Sequence, residues 1–212
     1  MCNTVAPEVH SSYAFCMPVE VDVSQRLESI AEATLEIVAS GGVDSVTIRA
    51  VAQRLDGSTK IITNYLPTRD DLLCNAVEHA VRGWDEERRQ AISVPVGQQL
   101  RALVLWASTT TGNDVVLRKL FFELLGHGEP GSRPVELVKN EARRVEEIIL
   151  QATRAASTPD PDFSAKALHL VLRGYYHANL EDSERWNSSE VAPLLERLIS
   201  LLSRDDEGQH DA

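Results

Sequence analysis

Apolar residues recur at a helical period through most of the chain, in blocks cut by glycine, proline and short polar runs. Leu27, Ile30, Ala31, Thr34, Ile37 and Val38 share one face and predict a first helix that starts at Ser24 as N-cap and stops at Gly41-Gly42. Val46, Ile48, Val51, Ala52 and Leu55 predict a second helix, with Ser45 or Asp44 as its cap. Asp56-Gly57 reads as a turn. Ser58 then opens a helix of under three turns that reaches Tyr65 and is stopped by Leu66-Pro67. Thr68 followed three residues later by Asp71 has the form of a capping box, with Asp in place of the usual Glu. It opens a fourth helix that buries Leu72, Leu73, Ala76, Val77, Ala80 and Val81 and runs to about Gln90.

The rest of the chain keeps the helical period. Helices are expected over residues 96–111, 114–125, 133–156, 163–181 and 188–203, with Gly126-His-Gly-Glu-Pro-Gly131 and Thr158-Pro-Asp-Pro161 as connectors. No convincing strand run appears, so the fold class is all-α with about nine helices. Residues 1–23 carry Pro7 and Pro18 and no helical period, and read as a flexible tail, as does 205–212. The expected division is therefore tail (1–23), a three-helix head (24–72), a larger helical domain (73–204) and tail (205–212).

Charge narrows what the head can do. The formal net charge is −11, which opposes sequence-independent attraction to nucleic acid. Residues 24–72 alone hold five Lys/Arg against seven Asp/Glu, so any DNA contact must come from a few placed cations and helix N-termini. Cys2, Cys16 and Cys74 are too widely spaced for a metal-ligand pattern, and Cys74, on a helical face, reads as a small buried hydrophobe. No cofactor is expected. No stretch reaches the roughly 18 apolar residues of a membrane span, and the first Lys or Arg is Arg26, so the start lacks the basic segment of a secretory signal. The expected location is the cytoplasm, without membrane contact.

A long helix, a glycine break, two short helices and a capped longer helix suit a helix-turn-helix, whose short second helix enters a DNA groove. Over about residues 24–73 the chain resembles the TetR family of transcriptional regulators. Gly42 ends the first helix, Thr47 sits at the start of the second, and Val51-Ala52 looks like the family's Ile-Ala pair. Ser58 caps the recognition helix, Tyr65-Leu66 looks like its Tyr-Phe pair, and Thr68-Arg69-Asp70-Asp71-Leu72 looks like Ser-Lys-Glu-x-Leu. Leu55-Asp56-Gly57 departs from the usual Ala-Gly-Val, and Thr63 stands where a Tyr is common. Thr-Lys-Ile-Ile-Thr-Asn-Tyr is similar to the branch that contains the choline-sensing repressors.

The resemblance implies a homodimeric repressor that leaves a palindromic double-stranded DNA operator when a small-molecule inducer binds. DNA-contacting positions are then Thr47, Ser58, Thr59, Lys60, Thr63, Asn64, Tyr65 and Arg69. Lys can donate to guanine, Asn can pair with adenine, and Thr can touch phosphate or a thymine methyl. Thr47 and Arg69 resemble the family's phosphate-contacting positions, although Thr47 also suits plain capping and Arg69 a surface ion pair.

An inducer pocket in the larger domain would draw on Trp84, Trp106, Phe121, Phe122, Glu123, His127, His169, Arg173, Tyr176 and His177, the aromatic and polar residues of its middle helices. His169, Arg173 and His177 follow at four-residue steps, a face that could bind an anion or pair with Glu181. Val191, Leu194, Leu195, Leu198, Ile199 and Leu202 form a wide apolar stripe on the last helix and a dimer interface, or an ordinary terminal core helix. Two other classes fit the chain less well. A helical ligand-binding or scaffold dimer without DNA binding would suit the acidic head. An all-α enzyme would have to use Glu123 with His127, or the His169/Arg173/His177 face, and no nucleophile–base set or phosphate-cradling glycine loop accompanies them.

Overall fold

The helical period is realised along the whole described chain. The computed structural model describes residues 22–109 and 112–204, and among them it contains helices α1 (Val23–Gly41), α2 (Ile48–Arg54), α3 (Thr59–Thr63), α4 (Arg69–Ala91), α5 (Val96–Ser108), α6 (Gly112–His127), α7 (Arg133–Ala155), α8 (Pro161–Glu181) and α9 (Ser188–Leu202), with no strand. A single 3-10 turn, Val43–Ser45, joins α1 to α2. The expected tails lie outside the described residues, save Asp22 and Val23.

Capping decides where the short helices begin. Asp22, in extended backbone, accepts the N–H of Ser24 at 2.9 Å, so Ser24 is the second residue of α1 and not its cap. The expected cap of α2 also moves. Ser45 lies in the 3-10 turn and donates its hydroxyl to the Gly41 carbonyl at 2.7 Å, and Asp44 points to solvent. Thr47 caps instead, its side chain accepting the Ala50 N–H at 3.0 Å. Ser58 caps α3 as expected, though α3 ends at Thr63 with Asn64 as C-cap and does not reach Tyr65. Thr68 and Asp71 make the full reciprocal box, each accepting the other's backbone N–H at 3.1 Å, so Asp serves where Glu is usual. Asp56 takes the left-handed conformation at φ 48°, which a short polar side chain tolerates. That turn lets the Gly57 N–H reach the Ala52 carbonyl at 2.8 Å and aims α3 across α2.

The head does not have a core of its own. Ile30, Val38, Val46, Val51, Ile62, Leu72 and Val77 bury with Leu120, Phe121 and Leu124 of α6 and Val138 of α7 in one cluster. The expected boundary at 72/73 therefore falls inside α4, which carries head and body together. Polar bonds reinforce the junction. Glu123 of α6 accepts the Val43 N–H at 2.6 Å. Gly42 sits at φ +77°, and a Cβ there would lie 3.2 Å from the same carboxylate, so the approach requires glycine. Arg69 donates to the carbonyls of Val46 at 3.0 Å and Val43 at 2.8 Å, and Asn75 donates to Leu27 at 2.8 Å.

A second cluster joins α5, α7, α8 and α9 through Leu100, Val104, Ile149, Leu168, Leu172, Tyr175, Val191 and Leu195. Val191 and Leu195 are thus buried in the core of their own chain. Leu198, Ile199 and Leu202 are half-buried against the same cluster. On α8 and α9 the large apolar residues left open are Phe163, Leu170 (70% exposed), Val171, Leu194 (58% exposed) and Leu201.

Two measurements probe this arrangement. Ile62, 1% exposed, packs α3 on the head core, and Ile62→Ala should lower unfolding free energy in urea by about 2–4 kcal/mol through lost burial and a residual cavity. Glu123→Ala leaves the Val43 N–H without its acceptor and should cost about 1–3 kcal/mol, while Glu123→Gln, which keeps an acceptor oxygen, should cost less. Equal losses for the two Glu123 variants would show that the bond to Val43 contributes nothing.

Candidate nucleic-acid interface and ligand cavity

Five residues of helix cannot hold themselves together in water, so α3 exists because Ile62 is driven into the head core. With Ile62 inward, Ser58, Thr59, Lys60 and Asn64 are exposed, while Thr63 and Tyr65 are half-buried at the edge of the same face. The structure thus brings six of the eight expected DNA-contacting residues onto one short surface. Thr47 lies at the neighbouring N-terminus of α2, exposed, with its oxygen engaged as the helix cap. Arg69 follows the ion-pair alternative and adds backbone bonds to it. Its guanidinium is bonded to the Val43 and Val46 carbonyls and lies 3.5 Å from Asp44, so it fastens the 3-10 turn to α4.

Arg49, not singled out from sequence, sits in the first turn of α2, exposed and, among the described residues, in no ion pair. Lys60 is likewise unpaired, whereas Arg54 is held by Glu36 at 2.6 Å. An Arg two residues after the N-cap was the signal for Arg49, because a cation there lies beside free N–H groups that attract the same anion.

Below the head, α4 to α8 line a cavity that is partly open to solvent. Of the ten expected pocket residues, Trp84, Trp106, Phe121, Phe122, His169, Arg173 and Tyr176 line it. Glu123, His127 and His177 do not. Glu123, one step further round α6 than Phe122, turns to the head and binds Val43. His127 is exposed at the end of α6. His177 points to solvent, pairs with Glu181 at 3.1 Å and rests on the Phe122 ring at 5.4 Å between centroids. The shared face expected of His169, Arg173 and His177 therefore splits, and only the first two reach the cavity.

Asp114 and Arg118, one turn apart on α6, line the cavity and were missed. Arg118 stands three and four residues before Phe121 and Phe122, a helical spacing that marks one face. Asp114 accepts the Trp84 indole N–H at 2.8 Å, and Trp84 meets Phe121 edge-on at 5.6 Å. Arg118 lies 4.0 Å over the Tyr176 ring and donates to the Thr109 carbonyl at 3.2 Å. Burial pushes the Tyr176 phenol up to about 12, against the pull of Arg118, so it stays neutral at ordinary pH.

The α4–α7 wall balances its own charge. Burial alone would raise the Asp85 carboxyl, but hydrogen bonds from Arg144 and Arg88 hold it below its usual range. Burial keeps Glu141 above its usual range despite its bonds to Arg144. On α8, burial and then the charge of Arg173 lower the His169 imidazole, whose Nδ1 is buried without a hydrogen-bond partner. Among the described residues no group of three or more His, Cys, Asp or Glu is placed to hold a metal ion. No helix among them is long and apolar enough to cross a membrane.

No family model and no curated protein sequence matches the chain. Its fold, in contrast, matches solved structures. A protein from Saccharomonospora viridis described as a transcriptional regulator, solved in complex with choline, superposes with a TM-score of 0.73 at 18% identity, covering 84% of this chain and 96% of the other. A TetR-family transcriptional regulator from Streptomyces coelicolor gives 0.71 at 16% identity, covering 85% and 97%. The multidrug binding protein EbrR, complexed with imidazole, gives 0.58 at 25% identity, covering 82% and 89%. The similarity spans head and body alike, and the fold of this chain is that of the TetR-family transcriptional regulators.

Proposed function

We propose that the protein is a ligand-responsive, DNA-binding transcriptional regulator that acts as a homodimeric repressor on a palindromic operator. The observation that carries this reading is the exposed face of α3, polar save for Ile61, on a helix with one buried residue that is set by the Asp56 turn against α2. A surface of Ser, Thr, Lys and Asn on a short protruding helix suits a major groove and buries too little to serve a packing role. Lys60 and Asn64 are the residues best suited to base edges, with Thr59 and Thr63 beside them. Arg49, Thr47 and the α2 N-terminus face phosphate. Arg69 acts within the head.

Open apolar residues on α8 and α9 support a dimer. Phe163, Leu170, Leu194 and Leu201 are all more than half exposed, and a self-complementary face of this kind would bring four helices together about a twofold axis. Two recognition helices would then stand about 34–36 Å apart, matching one turn of DNA.

Signal transfer follows from two helices that belong to both units. α4 carries Leu72 and Val77 in the head core and Trp84 and Asp85 in the cavity wall. α6 carries Phe121 and Phe122 in that wall and holds Val43 through Glu123. A ligand that fits the cavity better with α6 displaced would move the Val43–Ser45 turn, and α2 with it. It would shift the population off DNA by no more than its differential affinity.

Gel retardation on the DNA upstream of its own gene tests the reading. A specific complex is expected, and Lys60→Ala combined with Thr63→Ala should weaken it at least about tenfold, some 1.4 kcal/mol. Absence of any specific complex at moderate salt with folded protein would overturn it. Leu170→Glu combined with Leu194→Glu should convert the dimer to monomer in sedimentation and abolish retardation. A dimer that persists would place the interface elsewhere.

A further inference from the structure

The cavity has two chemically different sides. Along α4 and α7, Asp85 is bonded by Arg88 and by Arg144, and Glu141 by Arg144, which approaches from outside the lining, so these charges hold one another. Asp114 is engaged with the Trp84 indole. The α8 wall is different. Arg173 lines the cavity and, among the described residues, makes no ion pair or hydrogen bond. One turn before it, His169 lines the same cavity with a buried and orphaned Nδ1. Glu146, on α7, acts on His169 from outside the lining, and Glu87 is exposed at the rim. A cation without a partner and a ring nitrogen without a partner, one turn apart on α8, face a cavity whose other inner charges are engaged with neighbouring groups, and they form half of a binding pair.

We propose that this cavity takes a monocarboxylate with an apolar body, its carboxylate seated on the Arg173 guanidinium and the His169 Nδ1–H. This rests on the reading of the cavity as an effector site and names the effector's chemistry. The guanidinium offers the forked donor set that a carboxylate accepts in pairs, and neutral His169 supplies one more N–H. Leu103, Trp106, Phe122, Ile149 and Leu172 give the apolar body its surface. A cationic ligand would find Asp114 engaged with Trp84 and Asp85 and Glu141 held by arginines, and would leave the His169 nitrogen unmatched.

The test is calorimetric titration of the full-length protein without DNA, with the fluorescence of Trp84 and Trp106 as a second signal. Octanoate and 4-phenylbutyrate are compared with the alcohols of the same skeletons and with octyltrimethylammonium. At least one carboxylate should bind at least about tenfold more tightly than its alcohol and than the ammonium compound, and the better one tells an aliphatic from an aromatic effector. Arg173→Gln should bring that carboxylate to within about threefold of its alcohol while leaving the alcohol's affinity unchanged, and Arg173→Lys should restore part of the preference. Tighter binding of the ammonium compound, equal binding of acid and alcohol, no binding of any probe at millimolar concentration, or a preference that survives Arg173→Gln in a folded variant would each overturn the proposal. Because no DNA is present, such a failure stands apart from a failure of operator retardation.

Discussion

The arrangement depends on a head that is too small to bury its own apolar residues. Fewer than fifty residues cannot enclose Ile30, Val38, Ile62, Leu72 and Val77 unaided, and the deficit is met by Leu120, Phe121, Leu124 and Val138 from the body. One continuous core follows. The orientation of α3 is then a property of the body as much as of the head, because α4 is rigid across the boundary and α6 packs directly beneath the 3-10 turn. Across the junction the Glu123 carboxylate takes one backbone N–H and Arg133 bonds Asp71, while within the head the Arg69 guanidinium holds two carbonyls. They fix the angle that the apolar contacts leave adjustable.

Electrostatics divides the molecule in a matching way. A net acidic protein has little long-range attraction for DNA, so the DNA contact proposed for this head would work at contact distance, through hydroxyls, an amide and a few cations. In the body, the charges beside the cavity are locally matched at Asp85, Arg88, Glu141 and Arg144. Lowered Asp85 and raised Glu141 carboxyls within one cluster show how a hydrogen-bond partner and burial pull in opposite directions across a few ångströms.

Helix order and type were legible because the apolar period is strong in every block, and because Ser58 and the Thr68–Asp71 box carry capping chemistry in their spacing. The caps of α1 and α2 were not, since Asp22, Ser24, Asp44, Ser45 and Thr47 are all competent caps and only the fold decides which has extended backbone. Within the cavity, aromatics on the inner face of each helix were found. Glu123 and His177 were misplaced, because one residue rotates a helical side chain by about a quarter turn and sequence alone does not fix the zero of that rotation. Arg69 illustrates a different limit: its partners are backbone carbonyls 23 and 26 residues away, which leave no mark on composition. On α9, a stripe that is apolar over most of its circumference hides the distinction between Val191 and Leu195, which are core, and Leu194 and Leu201, which are not.

Cys74 lies on α4 where head and body meet, 1% exposed, and burial pushes its thiol up to about 11. Near neutral pH almost none of it is thiolate, the form that oxidants and alkylating agents attack. The position therefore cannot serve as a redox sensor while the junction is closed. It is instead a chemical clock: the rate at which a reagent modifies Cys74, located by peptide mass, counts how often the shared core breathes open, residue by residue invisible to any experiment that sees only the closed state.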